Sequence, residues 1–464
     1  MDIKVDGVVL VGAGNTGYTL NLVSPLGSYA DVPGSKVYSI KVEDSPFSRQ
    51  MFGNVQHPSI RRNAFRLYDI EMVRGNVMLE RGYGVLRDAK AGFDLSITAN
   101  YREVFGAYKD KSLQQIEDFG TLDFGTLLTN TPAVNGYVLP TISNPKFYEN
   151  GNAPGGWNGK VNNWSGGAYT SGVKVPMFFV KNILNRLTAL TGVTFSGTFY
   201  SSALMDKVLF YNMREANIST GIDIRKHLPN MTIGQMLLGI RKTFNVLLRI
   251  DSVSNKVRMD WADGMYSEVP TRNWSEKMAR ITKGSPSWSN GLRLRSVSDG
   301  GDGMSKDSFF LPFESPLMPG GGTELGYLDI ESPFSGLMMD GALPAVEQVG
   351  ITDVQSDKSF GNRLLYWLGG ASPVASNAFA GVVLNNEEKL AAYFSGAEKF
   401  YKSSFRVEEK VWLTASDIAD MARIFKGEVA DAPVVHVWGS NWLVDNIVVP
   451  DGEDEACQVV MYRM

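Results

Sequence analysis

The chain has 464 residues, a formal net charge of -4 and one cysteine, with 44% hydrophobic and 20% charged residues. This is an ordinary globular composition with ample material for a core, and the length prior is about three domains. It excludes an intrachain disulfide and a cysteine-rich metal site, and no long basic run supplies the counterion-releasing stripe that tight duplex binding needs.

The opening MDIKVDGVVLVGAG is charged at once and has a short apolar run, so no secretory signal is expected. No stretch approaches the roughly 20 apolar residues of a membrane helix. Synthesis in a cytoplasm is the expectation. Residues 1–125 read mostly as strand. VYSIKV (37–42) places Tyr38, Ile40 and Val42 on one face, and FDLSIT (93–98) does the same for Phe93, Leu95 and Ile97. Tight turns are expected near Gly75–Asn76 and Lys90–Gly92, so the region reads as a barrel or sandwich.

Residues 128–176 change character. They are rich in Asn, Gly, Pro and aromatics, with little regular pattern, as functional or loosely ordered loops are. Trp157 and Trp164 are expected to be exposed there. Either they mark a contact surface or they pack on their own domain.

Helical spacing returns at 177–193, where Val180, Ile183, Leu184, Leu187 and Leu190 recur and Gly192 ends the run. A second helix is predicted over 233–244, with Thr232 and Gln235 as a capping box. The strands 245–251 and 256–261 then form a hairpin around Ser252–Asn255. Residues 284–350, punctuated by Gly, Ser and Pro, read as loops joining two sheet regions. Residues 386–401 read as a short helix or an irregular connection.

The last sixty residues carry the clearest pattern. An extended stretch, 404–413, leads into a helix at 415–427 capped by Thr414 or Ser416 and stopped at Gly427. VVHVW, WLVDNIVV and CQVVMYRM follow as strands. A sheet closed by its final strand is the expectation. The lone Cys457 lies in this pattern and reads as a small buried hydrophobe.

Motifs that resemble chemistry fail on context. Gly12, Gly14 and Gly17 match G-x-G-x-x-G, but YTLNLVSPLGS follows where a phosphate-binding helix is required. DFG at 118–120 and 123–125 has no HRD loop with it. His57, His227 and His436 are far apart, and neither G-x-S-x-G nor H-E-x-x-H occurs. The acidic groups Asp451, Glu453, Asp454, Glu455 and Asp299, Asp302, Asp307 do not match a calcium loop and read as solvated turns. No catalytic, cofactor or metal residue is singled out.

The helix-plus-hairpin TIGQMLLGIRKTFNVLLRIDSVSNKVRM resembles a unit of the tail hub and baseplate proteins of tailed bacteriophages. So do FFVKNILNRLTALTGVTFSGTF, the ending LTASDIADMARIFKGEVADAPVVHVWGSNWLVDNIVV, and the early SPFSRQMFGN with GVLRDAKAGFDLSITA. The likeness covers about half the chain, and 128–176 and 301–400 depart from it.

The resemblance implies a mainly β fold with α+β parts, in which two small β-barrel-like tube domains are joined by short helices and long loops. Composition and periodicity divide the chain into a barrel-like domain (1–127), a loop insertion (128–176), an α/β domain (177–300), a loop-rich connection (301–403) and a strand-helix-sheet module (404–464). The resemblance implies a non-enzymatic virion tail component without cofactors, forming a homotrimer or, as a second option, a hexamer. Tail tube, spike, fibre and other baseplate proteins would be its partners, with DNA only in transit. A mildly acidic chain suits a conduit that DNA slides past. Two other readings remain open. Trp157, Trp164 and Tyr169 could stack on sugar rings in a receptor-binding protein, or the chain could be a tail-borne hydrolase.

Overall fold

Alternating apolar residues in the first hundred positions build an antiparallel sheet with one dry face. The computed structural model describes residues 2–10, 20–27, 29–30, 36–57, 66–74, 77–89, 92–99, 104–122, 136–148, 153–170, 172–216, 221–252, 254–278, 284–286, 289–304, 311–317, 325–352, 360–369, 372–450, 452 and 455–464. Its first strands are β1 (Asp2–Val5), β2 (Val8–Val9), β3 (Leu20–Val23) and β4 (Lys36–Val42). Helix α1 (Pro46–Met51) and strands β5 (Leu67–Arg74), β6 (Val77–Asp88) and β7 (Phe93–Ala99) follow. Six of these strands form a half-barrel sheet in the order β2-β1-β5-β6-β7-β4. Ile40, Ile70, Met72, Leu95 and Ile97 are buried on its inner face. Gly84 is required there, because a Cβ would meet Ile70 Cγ1 and Leu95 Cδ1 at 3.0 Å. The turn at Gly75–Asn76 and the glycines 12, 14 and 17 lie outside the described residues.

The C-terminal pattern folds as its residues dictate. Strand Phe405–Val411 precedes helix Ala415–Lys426, whose cap is Thr414 in a reciprocal capping box with Asp417. Gly427 ends the helix in the left-handed region at φ 80°. Strands Val434–Val437, Ser440–Val449 and Cys457–Arg463 complete the module. The final strand is not at a closing edge: it lies between Ser440–Val449 and Phe405–Val411. Strand β3 joins the same sheet, with Leu20 facing Val449.

The two sheets share one core. Ile3, Ile70 and Leu95 from the first meet Val444, Ile447 and Met461 from the second, with Ile418 and Met421 of the C-terminal helix among them. The second sheet also has a covered back. Val434 and Leu443, with half-buried Tyr462, pack into a separate core built by the central helices.

Those helices are Val180–Thr191 and Ile233–Phe244. The first buries Val180, Ile183, Leu184 and Leu187, and Gly192 caps it at φ 73°. The second starts with the Thr232–Gln235 capping box and runs into the hairpin of Val246–Asp251 with Lys256–Trp261. Asn245 makes this junction in the left-handed region at φ 51°, a conformation Asn tolerates better than most residues. Its buried amide donates to Tyr393 O at 2.7 Å and accepts from the Tyr29 hydroxyl at 2.5 Å. Residues 386–401 resolve into two helices, Asn386–Tyr393 and Ser395–Ser403.

The hairpin is fastened to the C-terminal module by Arg249. This buried side chain donates to Asp260 Oδ2 at 2.5 Å and to the carbonyls of Ile424, Val429 and Asp431 at 3.1–3.3 Å. Arg258 reaches the same carboxylate at 2.6 Å. Burial alone would raise the Asp260 pKa, but hydrogen bonds from Arg258, Thr198 and Arg249 hold it below the usual carboxylate value.

Two regions and one acidic group differ from their sequence reading. The described parts of 128–176 are built rather than loose: Val138, Ile142, Phe147 and Val161 are buried in a third core with Leu209 and Val346. Short ladders such as Ile142–Ser143 with Lys160–Val161 hold this segment. The stretch 284–350 contains the parallel strands Leu292–Ser296 and Leu328–Ser332, not loops alone. Asp299 and Asp302 are not a solvated turn. Arg363 donates to Asp302 at 2.7 Å and to Asp299 at 2.9 Å, and Arg363 and Asp302 are each almost fully buried.

Candidate functional site: an uncovered sheet face and an aromatic cleft

The outward face of the first sheet follows from register. Leu67 pairs with Val85 and Asp69 with Tyr83, so all four project on the side opposite Tyr68 and Ile70. Leu67 is 60% exposed, Tyr83 44% and Val85 37%, while Tyr68 and Ile70 are buried. Met78 on β6 and Val8 and Val9 on the edge strand β2 are exposed too. Further along the face, Arg81 grips Asp69 with two hydrogen bonds (2.6 and 3.0 Å), and Lys4 lies 3.7 Å from Glu71. Exposed pairs of this kind contribute only about 0–1 kcal/mol to the monomer, but they fix direction at a contact. Among the described residues, β2 pairs only with β1 and β4 only with β7. Both margins of the sheet therefore offer unused backbone groups, which invite pairing.

Groups that might do chemistry are dispersed or already engaged. His57 is exposed. Buried His227 contacts Asn212 Nδ2 through Nδ1 at 2.9 Å. His436 meets Asn441 at 3.2 Å through Nδ1 and accepts from the Gly439 amide through Nε2. Cys457 is buried in the C-terminal sheet. No group of three or more His, Cys, Asp or Glu side chains suited to a metal occurs among the described residues. Among the described residues, no helix is long and apolar enough to cross a membrane.

The three aromatic residues singled out by sequence fall into two places. Trp164 and Tyr169 face each other across the short ladder Trp164–Ser165 with Ala168–Tyr169, edge to face at 4.7 Å. The Tyr169 hydroxyl donates to Leu139 O at 2.7 Å, and burial pushes its pKa well above the ordinary value. Trp157 instead packs against Tyr148, centroids 5.0 Å apart and planes at 88°. Both tryptophans are half-buried and pack on aromatic neighbours of their own segment, as the second of the two sequence readings has it.

Trp157 and Tyr148 line a cleft of about 230 Å³ together with Asn158, Lys160, Asn163 and Thr170. Trp164 and Tyr169 do not line it. Sequence reading missed Tyr148, Asn158 and Lys160; the only signal was the Asn/Gly density around them.

No family model matches the sequence, and no curated protein matches it. Among solved structures, the chain is similar to the 43 kDa tail protein of prophage MuSo2 from Shewanella oneidensis, at 9% identity and a TM-score of 0.40, covering 99% of this chain and 96% of that one. It is also similar to prophage tail protein gp18 from Listeria monocytogenes, at 8% identity and a TM-score of 0.40, covering 100% and 94%. A chain from the virion of a native gene transfer agent particle matches at 11% identity and a TM-score of 0.28, covering 100% and 74%.

Proposed function

We propose that this chain is a structural component of a phage tail tip or baseplate. In this reading it forms a homo-oligomeric hub ring, a trimer first and a hexamer second, between the tail tube and spike or fibre proteins. The ring surrounds the channel through which the genome leaves, and the protein performs no reaction. It is made in the host cytoplasm and resides in the virion tail.

The observation that carries the reading is the exposed face of the first sheet, with Leu67, Tyr83 and Val85 outward and, among the described residues, no strand beyond β2 or β4. A half-barrel that stops short of closure can complete its hydrogen bonding by pairing with a neighbour, and head-to-tail contacts of that kind form a ring where the rotation between copies closes. The sequence resemblance to hub and baseplate proteins supplies the kind of assembly. Permanent contacts of this class bury on the order of 2,000–5,000 Å². The net charge of -4 keeps DNA passage free of tight binding.

The test is electron microscopy of the purified protein with light scattering across a concentration series. Closed rings with an open axis, threefold before sixfold, are expected. A monomer that persists at high concentration and ignores tube and spike proteins refutes the reading.

A further inference from the structure

We propose that the cleft between Tyr148 and Trp157 binds a single ring of an acidic saccharide. The argument starts with shape. An apolar cavity of about 150 Å³ takes a benzene ring, so about 230 Å³ admits a six-membered sugar ring with its substituents. Tyr148 and Trp157 stand at 88° to each other and form a corner, not a parallel slot. A flat base stacks best in a slot, whereas a puckered ring presents C–H groups to one aromatic face while its rim meets the other.

The polar groups suit the hydroxyls of such a ring, which both donate and accept. Asn158 uses Oδ1 to accept from the Lys160 amide at 3.2 Å, leaving its Nδ2 donor for a ligand. Asn163 donates through Nδ2 to Thr170 Oγ1 at 3.0 Å, leaving its Oδ1 acceptor.

The charge defines the ligand class. None of the described lining residues is acidic, burial and then the nearby Glu215 carboxylate raise the Tyr148 pKa, and Lys160 makes no ion pair among the described residues. The wall behind is braced by buried Lys174, whose ammonium donates to the carbonyls of Thr170 (2.6 Å) and Gly172 (3.3 Å). An exposed ammonium beside neutral amides selects a sugar carrying a carboxylate or phosphate. Gly155, Gly156 and Gly172 border the cleft, and a Cβ on any of them meets nothing within 4 Å, so a chain of linked sugars has open access.

The experiment applies the full chain to an array of acidic and neutral oligosaccharides, followed by titration calorimetry with the best acidic ligand and its neutral counterpart. Acidic sugars are expected to bind. Lys160→Gln is expected to weaken the acidic ligand about tenfold, the size of a lost charge-assisted hydrogen bond, and to leave the neutral one unchanged. Trp157→Ala removes binding of both. Gly155→Leu, at a position without positive φ and with free space, fills the mouth and also removes binding while the melting temperature stays the same. The proposal is overturned if no saccharide binds, if Gly155→Leu binds as well as the parent, or if Lys160→Gln treats acidic and neutral ligands alike.

Discussion

The two antiparallel sheets share one core yet meet the rest of the molecule differently. The C-terminal sheet is covered on both sides: Val444, Ile447 and Met461 face the first sheet, and Val434 and Leu443 face the central helices. The first sheet buries only its inner side, and Leu67, Tyr83 and Val85 remain in water. The difference teaches that apolar content does not decide which sheet is finished. What decides it is whether the chain supplies a second layer.

The largest effect should come from the fastening of the covered sheet. Arg249→Met leaves the buried Asp260 carboxylate with less compensation and unbinds the Ile424 carbonyl in the last turn of the C-terminal helix and those of Val429 and Asp431 after it. A loss of about 3–5 kcal/mol is expected in denaturant unfolding. A loss within the range of surface substitutions would show that the hairpin and module are not coupled there.

Next comes a direct contrast of the sheets. Ile447→Ala, within the shared core, should cost about 2–5 kcal/mol. Leu67→Ala, on the uncovered face, should stay within about 0.5 kcal/mol in a dilute monomer but weaken association in light scattering. Equal costs in the monomer would end the distinction between the two faces.

A smaller effect, about 1 kcal/mol, is expected for Thr414→Ala, which removes the cap of the helix that both sheets grip. Thermal unfolding measures it. Unchanged stability would mean the helix start is held by packing alone.

The last prediction uses a buried site outside both sheets. Lys389 is buried with Ser296 Oγ as its hydrogen-bond partner at 2.9 Å, and desolvation lowers its pKa to about 7. The unfolded chain keeps the ordinary value of 10.5, so between those values it holds more protons than the folded one. Stability contributed by this group therefore rises as pH goes from about 7 toward 10.5 and is flat below 7. Lys389→Met should remove that slope. A slope that survives the substitution assigns it to another group.

What the sequence made legible was local. Thr232 with Gln235, Thr414, Gly192 and Gly427 mark helix ends through short-range hydrogen bonds and a left-handed φ, and each does so here. The alternation around Ile40 and Leu95 identified the dry face of the first sheet. What stayed hidden depends on distant partners. Asp302 looked like a solvated turn because Arg363, which buries it, is 61 residues away. The ladder at Ile142–Ser143 depends in part on Ala345, and short irregular strands carry no periodicity of their own. The aromatics at 157–169 marked the right neighbourhood, but the corner that Trp157 forms is completed by Tyr148, an aromatic of the same segment that no sequence pattern singled out.

The pairing of Leu20 with Val449 puts the folding of this protein on a schedule. A ladder that joins residues so far apart in sequence cannot form until both have been synthesised. The inner face of the half-barrel must wait equally long for the helix Ala415–Lys426 that covers it. Until that helix emerges the apolar inner face lacks its cover, and the demand for chaperone protection falls on that interval.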